Sequence, residues 1–433
     1  MTVYGMVFAL IALCIYFSVA TVRDVSPDGA DGAISIARQL NTQGYGSNTL
    51  LVVYGTGNQD KLFASTLQEI LRRSGSAVIM INGSPPEIRD RIQHLLTGAT
   101  SKTIIAATKS MSDLPIWDAI AKDVPSSKFS LVSPSSARSS VFLSTNNIRN
   151  IADQISVIAI IAVGMTLVIL TGGIDLSVGS MIALSAVLCA WFIQRWGGKS
   201  ITPTTAMSAS LLTALISAGF GTMTGFIITW FKVPPFIVTL ASMQIAGGLA
   251  FQASRGQTLY DIPDWFSVLG RGNYLSVPYS VILMFIIYLL AHFILSKSVI
   301  GRTVYAVGGN TESSRLSGIS IPRTIIFVYF VSGLMAGIGG IITTSQLKAG
   351  APTYGSMYEM YAIAAVVVGG ASLTGGQGNV FGTLIGAFII AVIKNGMNLM
   401  DVEPYMQKVL LGVVILLAVL GDKLRNQYAN RSH

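Results

Sequence analysis

The chain is 433 residues long, 52% hydrophobic and only 11% charged, with a net charge of +9 and a mean hydropathy of +0.63. An ordinary soluble protein carries roughly 25% charged residues, so this chain lacks the polar surface to cover its own core and is excluded from the soluble class. The basic excess is not read as nucleic-acid binding, because the basic residues of the apolar part fall between apolar runs, where lipid charge and orientation use them; Cys14 and Cys189 are far apart, and His94, His292 and His433 stand alone, so no disulfide framework or metal site is indicated.

The first apolar run, residues 4 to 22, is expected to be a retained transmembrane helix, since no Lys or Arg precedes it as in a cleaved signal. From 23 to 149 the texture changes. That stretch holds 13 Lys/Arg and 10 Asp/Glu, whereas 150 to 433 hold 15 and 9 in more than twice the length. Short β-branched runs at 50–55, 77–82, 103–108 and 128–133 alternate with amphipathic stretches near 60–73, 86–96 and 112–123, which predicts parallel strands joined by crossover helices. Ser84 before Pro85 and Pro86 reads as a helix N-cap. GTGNQD at 55–60 is either an ordinary strand-to-helix turn or a cradle of amides for an anion or sugar hydroxyls; it lacks the full glycine spacing of a dinucleotide site.

Nine more apolar segments follow, at about 152–171, 174–193, 205–231, 235–253, 279–296, 324–345, 358–375, 379–394 and 406–420. With the first, they predict an α-helical polytopic membrane protein of about ten transmembrane helices carrying an inserted extracytoplasmic α/β domain. The domains are 1–22, 23–149 and 150–433. Lys297, Arg302, Arg315 and Arg323, with Lys423, Arg425 and Arg431 in the tail, place those connections in the cytoplasm. The segments at 174–193 and 358–375 are glycine-rich and are candidates for re-entrant structure.

Three stretches carry the candidate chemistry. In GGIDLSVGS, Gly172 and Gly173 end one helix and Asp175 either caps the next or, with Ser177 and Ser180, faces a polar path; a charge at bilayer depth costs about 2.5–3.5 kcal/mol on insertion scales. Interrupted helices of this kind hold solutes in several transporters. Gly369, Gly370, Ser372 and Thr374 repeat the texture, read either as tight helix packing or as part of the same path. The stretch 301–324 contains Glu312, Ser313, Ser314, Arg315 and Leu316, a short amphipathic helix ended by Gly318, which serves either orientation alone or the docking of a cytoplasmic partner.

The blocks FLSTNNIRNI, VGMTLVILTGGIDLSVGSMIALSA, GRTVYAVGGNTESSRLSGI, YEMYAIAAVVVGGASLTGGQGNVFGTLIGA and VVILLAVLGDK, spread over about 142–428, closely resemble the permease subunits of bacterial ABC importers for ribose and related simple sugars, within the larger group that includes branched-chain amino acid permeases. The resemblance implies a multi-pass protein of the bacterial inner membrane that takes a monosaccharide such as ribose. Its implied partners are two ABC ATPase subunits, a second permease copy or homologue, an extracytoplasmic sugar-binding protein and membrane lipid. It further implies an ATPase coupling loop at Arg302, Gly309, Asn310, Glu312, Ser313, Ser314, Arg315 and Gly318, with serines at 313 and 314 where the family pattern usually has alanines. No phosphate loop G-x-x-x-x-G-K-[ST] occurs, so ATP and Mg are expected on the partner and no catalytic residue, metal or cofactor on this chain. The family normally joins its first two helices by a short loop; the block at 23–149 looks like one lobe of a periplasmic sugar-binding protein, for capture, docking or neither. The rival readings are an ion-coupled secondary transporter, which wants intramembrane carboxylates, a membrane-anchored sugar sensor, which needs only one anchor, and an outer-domain enzyme, for which no acid, base and nucleophile cluster stands out from spacing.

Overall fold

The computed structural model describes residues 3–42, 50–98, 102–125, 127–275 and 277–431; the side chains of Lys423, Arg425 and Arg431 lie outside what is described. The chain forms two compact units, Val22–Val141 and the remainder, Met1–Thr21 with Phe142–His433. It opens with α1 (Val3–Ala20) and enters the smaller unit through β1 (Val22–Val25), α2 (Gly29–Thr42), β2 (Leu50–Val53), α3 (Asn58–Arg73), β3 (Val78–Ile81), α4 (Pro85–Thr97), β4 (Thr103–Ala107), α5 (Lys109–Ser112), α6 (Ile116–Asp123), β5 (Phe129–Val132) and β6 (Ala137–Ser140).

Four of these strands make a parallel sheet in the order β3-β2-β4-β5. β2 shows why its sequence is continuously apolar. Leu50 and Val52 face Ile36, Phe63 and Leu67 of α2 and α3, while Leu51 and Val53 face Ile88, Ile92 and Trp117 of α4 and α6. Side chains alternate across a strand, so a sheet covered on both faces needs both sets apolar. The Ser84 N-cap is present as a full capping box, with Glu87 Oε2 accepting the Ser84 N–H at 2.8 Å. The helix expected over 112–123 is instead two pieces separated at Leu114–Pro115, where the proline ring disfavours helical backbone before it. β1 and β6 pair antiparallel from Val22↔Ser140 to Val25↔Ala137, and neither they nor α2 were anticipated.

The larger unit adds α7 (Thr145–Leu170), α8 (Val178–Trp196), α9 (Pro203–Phe231), α10 (Pro235–Ser254), α11 (Val268–Arg271), the ribbon β7 (Asn273–Tyr274) and β8 (Val277–Pro278), α12 (Tyr279–Lys297), α13 (Val299–Gly309), α14 (Thr311–Leu316), α15 (Ile321–Leu347), α16 (Tyr358–Val368), α17 (Val380–Leu399) and α18 (Pro404–Arg431). Residues 142–149 belong to this unit, not to the α/β block. α15 is the hub. Gly333 and Gly337 admit Ser217 and Gly221 of α9, Gly340 admits Ser185 of α8, and Gly164 of α7 lies against Ser332. Small residues at such contacts let helix backbones approach closely.

Among the described residues seven helices, α7, α8, α9, α10, α12, α15 and α17, are long and apolar enough to cross a membrane, and the described apolar stretches Gly5–Ala20, Tyr358–Val368 and Pro404–Leu417 are shorter. Of the ten segments read from the sequence, these seven reach that length. α16, expected to run from 358 to 375, has eleven residues, so it rises only about 16 Å where a bilayer core needs roughly 30 Å. The chain reaches its start through a non-helical stretch: Gly350 lies against Ala186 and Ala190 of α8, and Gly355 against Gly179 and Ile182. Likewise 174–177 is not helix, and α8 begins at Val178.

Candidate functional site

α7 ends because Gly172 takes φ +75°, a left-handed terminator in which its N–H donates to Ile169 O at 2.9 Å and the Gly173 N–H to Val168 O at 3.0 Å. The chain then runs non-helically to Ser177. Asp175 lies two residues too early to be the N-cap of α8, which is Ser177. Its Oδ1 accepts the Ser177 N–H at 2.9 Å and the Ser177 hydroxyl at 2.6 Å, and its Oδ2 accepts the Ser332 hydroxyl of α15 at 2.7 Å. Thr239 of α10 and Tyr329 of α15 donate to the Ile174 carbonyl. Ser332 stands eleven residues into α15, about 16 Å along its axis, so this polar knot lies near the middle of the bundle. Asp175, 3% exposed, has both oxygens partnered. It ties the break between α7 and α8 to α15.

The second break uses the same terminator. Gly370 has φ +83°, with the Gly370 N–H on Val367 O at 2.9 Å and the Ala371 N–H on Val366 O at 3.1 Å. Gly369 has no room for a side chain because Gly382 O of α17 is against it. Beyond it the Ser372 and Thr374 hydroxyls pair at 2.9 Å.

The two breaks, some 200 residues apart in sequence, meet at the end of α13. The Gly376 N–H donates to Leu170 O, the last residue of α7, at 2.9 Å. A Cβ on Gly308 would overlap Leu170 O and press on the Gly376 nitrogen, Gly309 lies against Gly376, and Gly375 lies against Gly172. Tyr305 of α13 donates to Gly378 O at 2.8 Å. α14 follows directly. Asn310 caps it by accepting the Ser313 N–H at 2.8 Å, Gly318 ends it at φ +79°, and Glu312 and Arg315 pair at 2.5 Å on its exposed surface, beside an exposed Leu316. Arg302 is exposed; Ser314 is buried and returns its hydroxyl to Asn310 O at 2.8 Å, so it fits where an alanine would, with no outside partner required.

A cavity of about 570 Å³ lies beside these elements, between the first turns of α8, the middle of α10 and the stretch leading into α16. Of the residues singled out from sequence only Ser180 lines it; Gln244, Thr353, Tyr354, Ser356 and Glu359 supply the rest of its polar wall. Gly172, Gly173, Asp175, Ser177, Gly369, Gly370, Ser372 and Thr374 do not line it. Glu359 carried a signal that sequence reasoning passed over: it is a carboxylate inside a segment counted as apolar, the same anomaly that drew notice to Asp175. Among the described residues no group of three or more His, Cys, Asp and Glu side chains is placed to hold a metal.

Residues 147–419 match the family described as the permease component of the branched-chain amino acid transport system. The chain is 44% identical over 285 residues to the ribose import permease protein RbsC of Escherichia coli (strain K12), covering 65% of this chain and 87% of that one. It is 40% identical over 287 residues to the ribose import permease protein of Bacillus subtilis (strain 168), covering 66% and 87%, and 33% identical over 342 residues to the xylose transport system permease protein XylH of Escherichia coli (strain K12), covering 65% and 86%. No solved structure matches. The α/β unit ends at Val141, before the matched region begins, and the helix breaks, α13, α14 and the cavity all fall within that region, so the chain belongs to this family of multi-pass membrane permeases.

Proposed function

We propose that this chain is the membrane-spanning permease subunit of an ATP-driven importer of a monosaccharide such as ribose, working with ABC ATPase subunits, an extracytoplasmic sugar-binding protein and a second permease copy. Its relatives are ribose, allose and xylose permeases. The observation that carries the reading is the junction at Gly308. An exposed helical hairpin, α13 and α14, offers a charged surface outward and presses backbone against backbone on both helix breaks inward, with no long side chains between to absorb a displacement. ATP hydrolysis on a partner would move α14, and the junction would pass that movement to α7, α8 and the 369–379 stretch as a switch between two arrangements.

In this reading the α13–α14 end faces the cytoplasm, in keeping with Lys297, Arg302, Arg315 and Arg323 around it. The chain leaves the bundle at Thr21 and returns at Phe142, whose N–H donates to Thr21 Oγ1 at 3.1 Å, at the opposite end of α7 from Gly308. That supports an extracytoplasmic place for the α/β unit and ten passages of the chain, with 349–357 and α16 together making one of them. Arg315→Glu tests the proposal: the variant should insert normally while ATP-driven ribose uptake falls at least tenfold and ATPase activity no longer responds to this chain. Uptake at the unmodified rate overturns it.

A further inference from the structure

Resting on that reading, we propose that the cavity beside α8, α10 and α16 is a subsite for sugar hydroxyls, in which the Glu359 carboxylate accepts their hydrogens and Gln244 adds an amide from α10.

Three observations carry this. Of the two carboxylates set deep among the apolar helices next to these breaks, Asp175 is filled by three donors, whereas no side chain among the described residues donates to Glu359 and no Lys or Arg pairs with it. An ionisable group at such depth faces protein partners or a water-filled space, and here the space is the cavity. Depth follows from its neighbours: Glu359 and Gly355 lie against Gly179, one turn before Ile182, and Ile182 faces Gly339 and Gly340 in the interior of α15.

The second observation is how the anion is held. A Cβ on Gly179 would overlap the Glu359 carboxylate, so the absence of a side chain in the first turn of α8 lets the carboxylate lie against that helix start. The positive end of the helix dipole favours a negative group there. The carboxylate accepts its own backbone N–H and keeps the rest of its acceptor capacity.

The third is the lining. Ser180, Thr353, Tyr354, Ser356 and Gln244 are neutral donors and acceptors, no cationic side chain joins them, and Ala183, Phe251 and Met357 supply apolar wall. A few placed polar groups on an apolar wall, in a volume of this size, is the usual make-up of a small-molecule site. A neutral polyol offers the hydroxyl hydrogens this wall can accept; an anionic solute would meet Glu359 without a compensating cation.

The test uses the full chain in membrane vesicles. With Cys14→Ala and Cys189→Ala removing the native thiols, Ser180→Cys places a probe in the cavity wall, and its alkylation rate is measured with and without 100 mM D-ribose. Ribose should slow alkylation at least threefold, osmolarity matched with glycine betaine, which has no hydroxyl groups, should not, and Glu359→Gln or Gln244→Leu should each remove most of the protection. Absence of protection, or equal protection in Glu359→Gln, overturns the subsite. ATP-driven uptake by the unmodified chain is read separately: uptake without protection sinks the subsite and keeps the importer, and protection without ATP-driven uptake does the reverse.

Discussion

Two carboxylates near the ends of interrupted helices have opposite fates. Asp175 spends its acceptor capacity on Ser177 and Ser332, which makes it a structural tie. Asp175→Ala should leave buried donors unpartnered and destabilise the purified protein by roughly 1–3 kcal/mol, while Asp175→Asn, which keeps an oxygen for Ser177, should cost less; thermal unfolding in detergent reads the difference. Glu87 is the surface counterpart. The Ser84 N–H bound to its carboxylate holds its pKa below the usual carboxylate range. A carboxyl lowered on folding contributes above its unfolded pKa and loses that contribution as pH falls through the lowered value. The extra amide protection that wild type shows over Glu87→Ala in the first turn of α4 should therefore be present at pH 7 and vanish in acid, as hydrogen exchange would report. Lys348 similarly holds Asp264 low across a 2.6 Å contact. Asp175 was legible because a charge after twenty apolar residues stands out; Glu359 escaped because it opens a segment whose later residues dominate the average, and that no side chain among the described residues donates to it is not a property of local sequence.

Among the elements, the apolar helices were legible and their interruptions partly so. Paired glycines announced where α7 stops, since a left-handed terminator favours a residue without Cβ; the pair at 369–370 ends α16 in the same way, inside a segment read as running to 375. What the pairs did not announce is that 349–357 crosses part of the bundle without being helical. Its backbone is tolerated there because Gly350 and Gly355 allow it to lie against α8. The short helix α14 was anticipated from its charges and Gly318, but α13 was not, and Gly308 was not singled out. Gly308→Ala puts a methyl where Leu170 O and the Gly376 N–H already meet. Overpacking of that kind typically costs about 1–3 kcal/mol. The expected outcome, on the proposed function, is a chain that still inserts and still binds a partner ATPase but transports at least tenfold less; transport within twofold of wild type would show that the junction transmits nothing.

For the whole molecule, the matching of Thr21 to Phe142 and of β1 to β6 means that the α/β unit enters and leaves through adjacent strands. Phe17 stacks on Phe142 at 6.0 Å and Gly396 of α17 makes room for the Phe17 ring, so α1 is packed into the bundle independently of what is inserted after it. Replacing Val22–Val141 with a short glycine-serine link should leave a chain that inserts and keeps its thermal transition within a few degrees, and the excised unit should fold as a soluble domain by circular dichroism. Loss of the bundle on excision would contradict this separation. Sequence by itself determined the membrane class, the order and approximate ends of the apolar helices, the parallel α/β block and the polar breaks, because composition, periodicity and glycine punctuation are local quantities. Only tertiary structure decided that the two breaks converge on Gly308, that Asp175 accepts three hydrogen bonds while Glu359 faces a cavity, and that α16 is preceded by a non-helical stretch laid against α8. Each of these depends on which backbone comes to lie against which across some 150 to 200 residues, and helix packing settles that where no local pattern can.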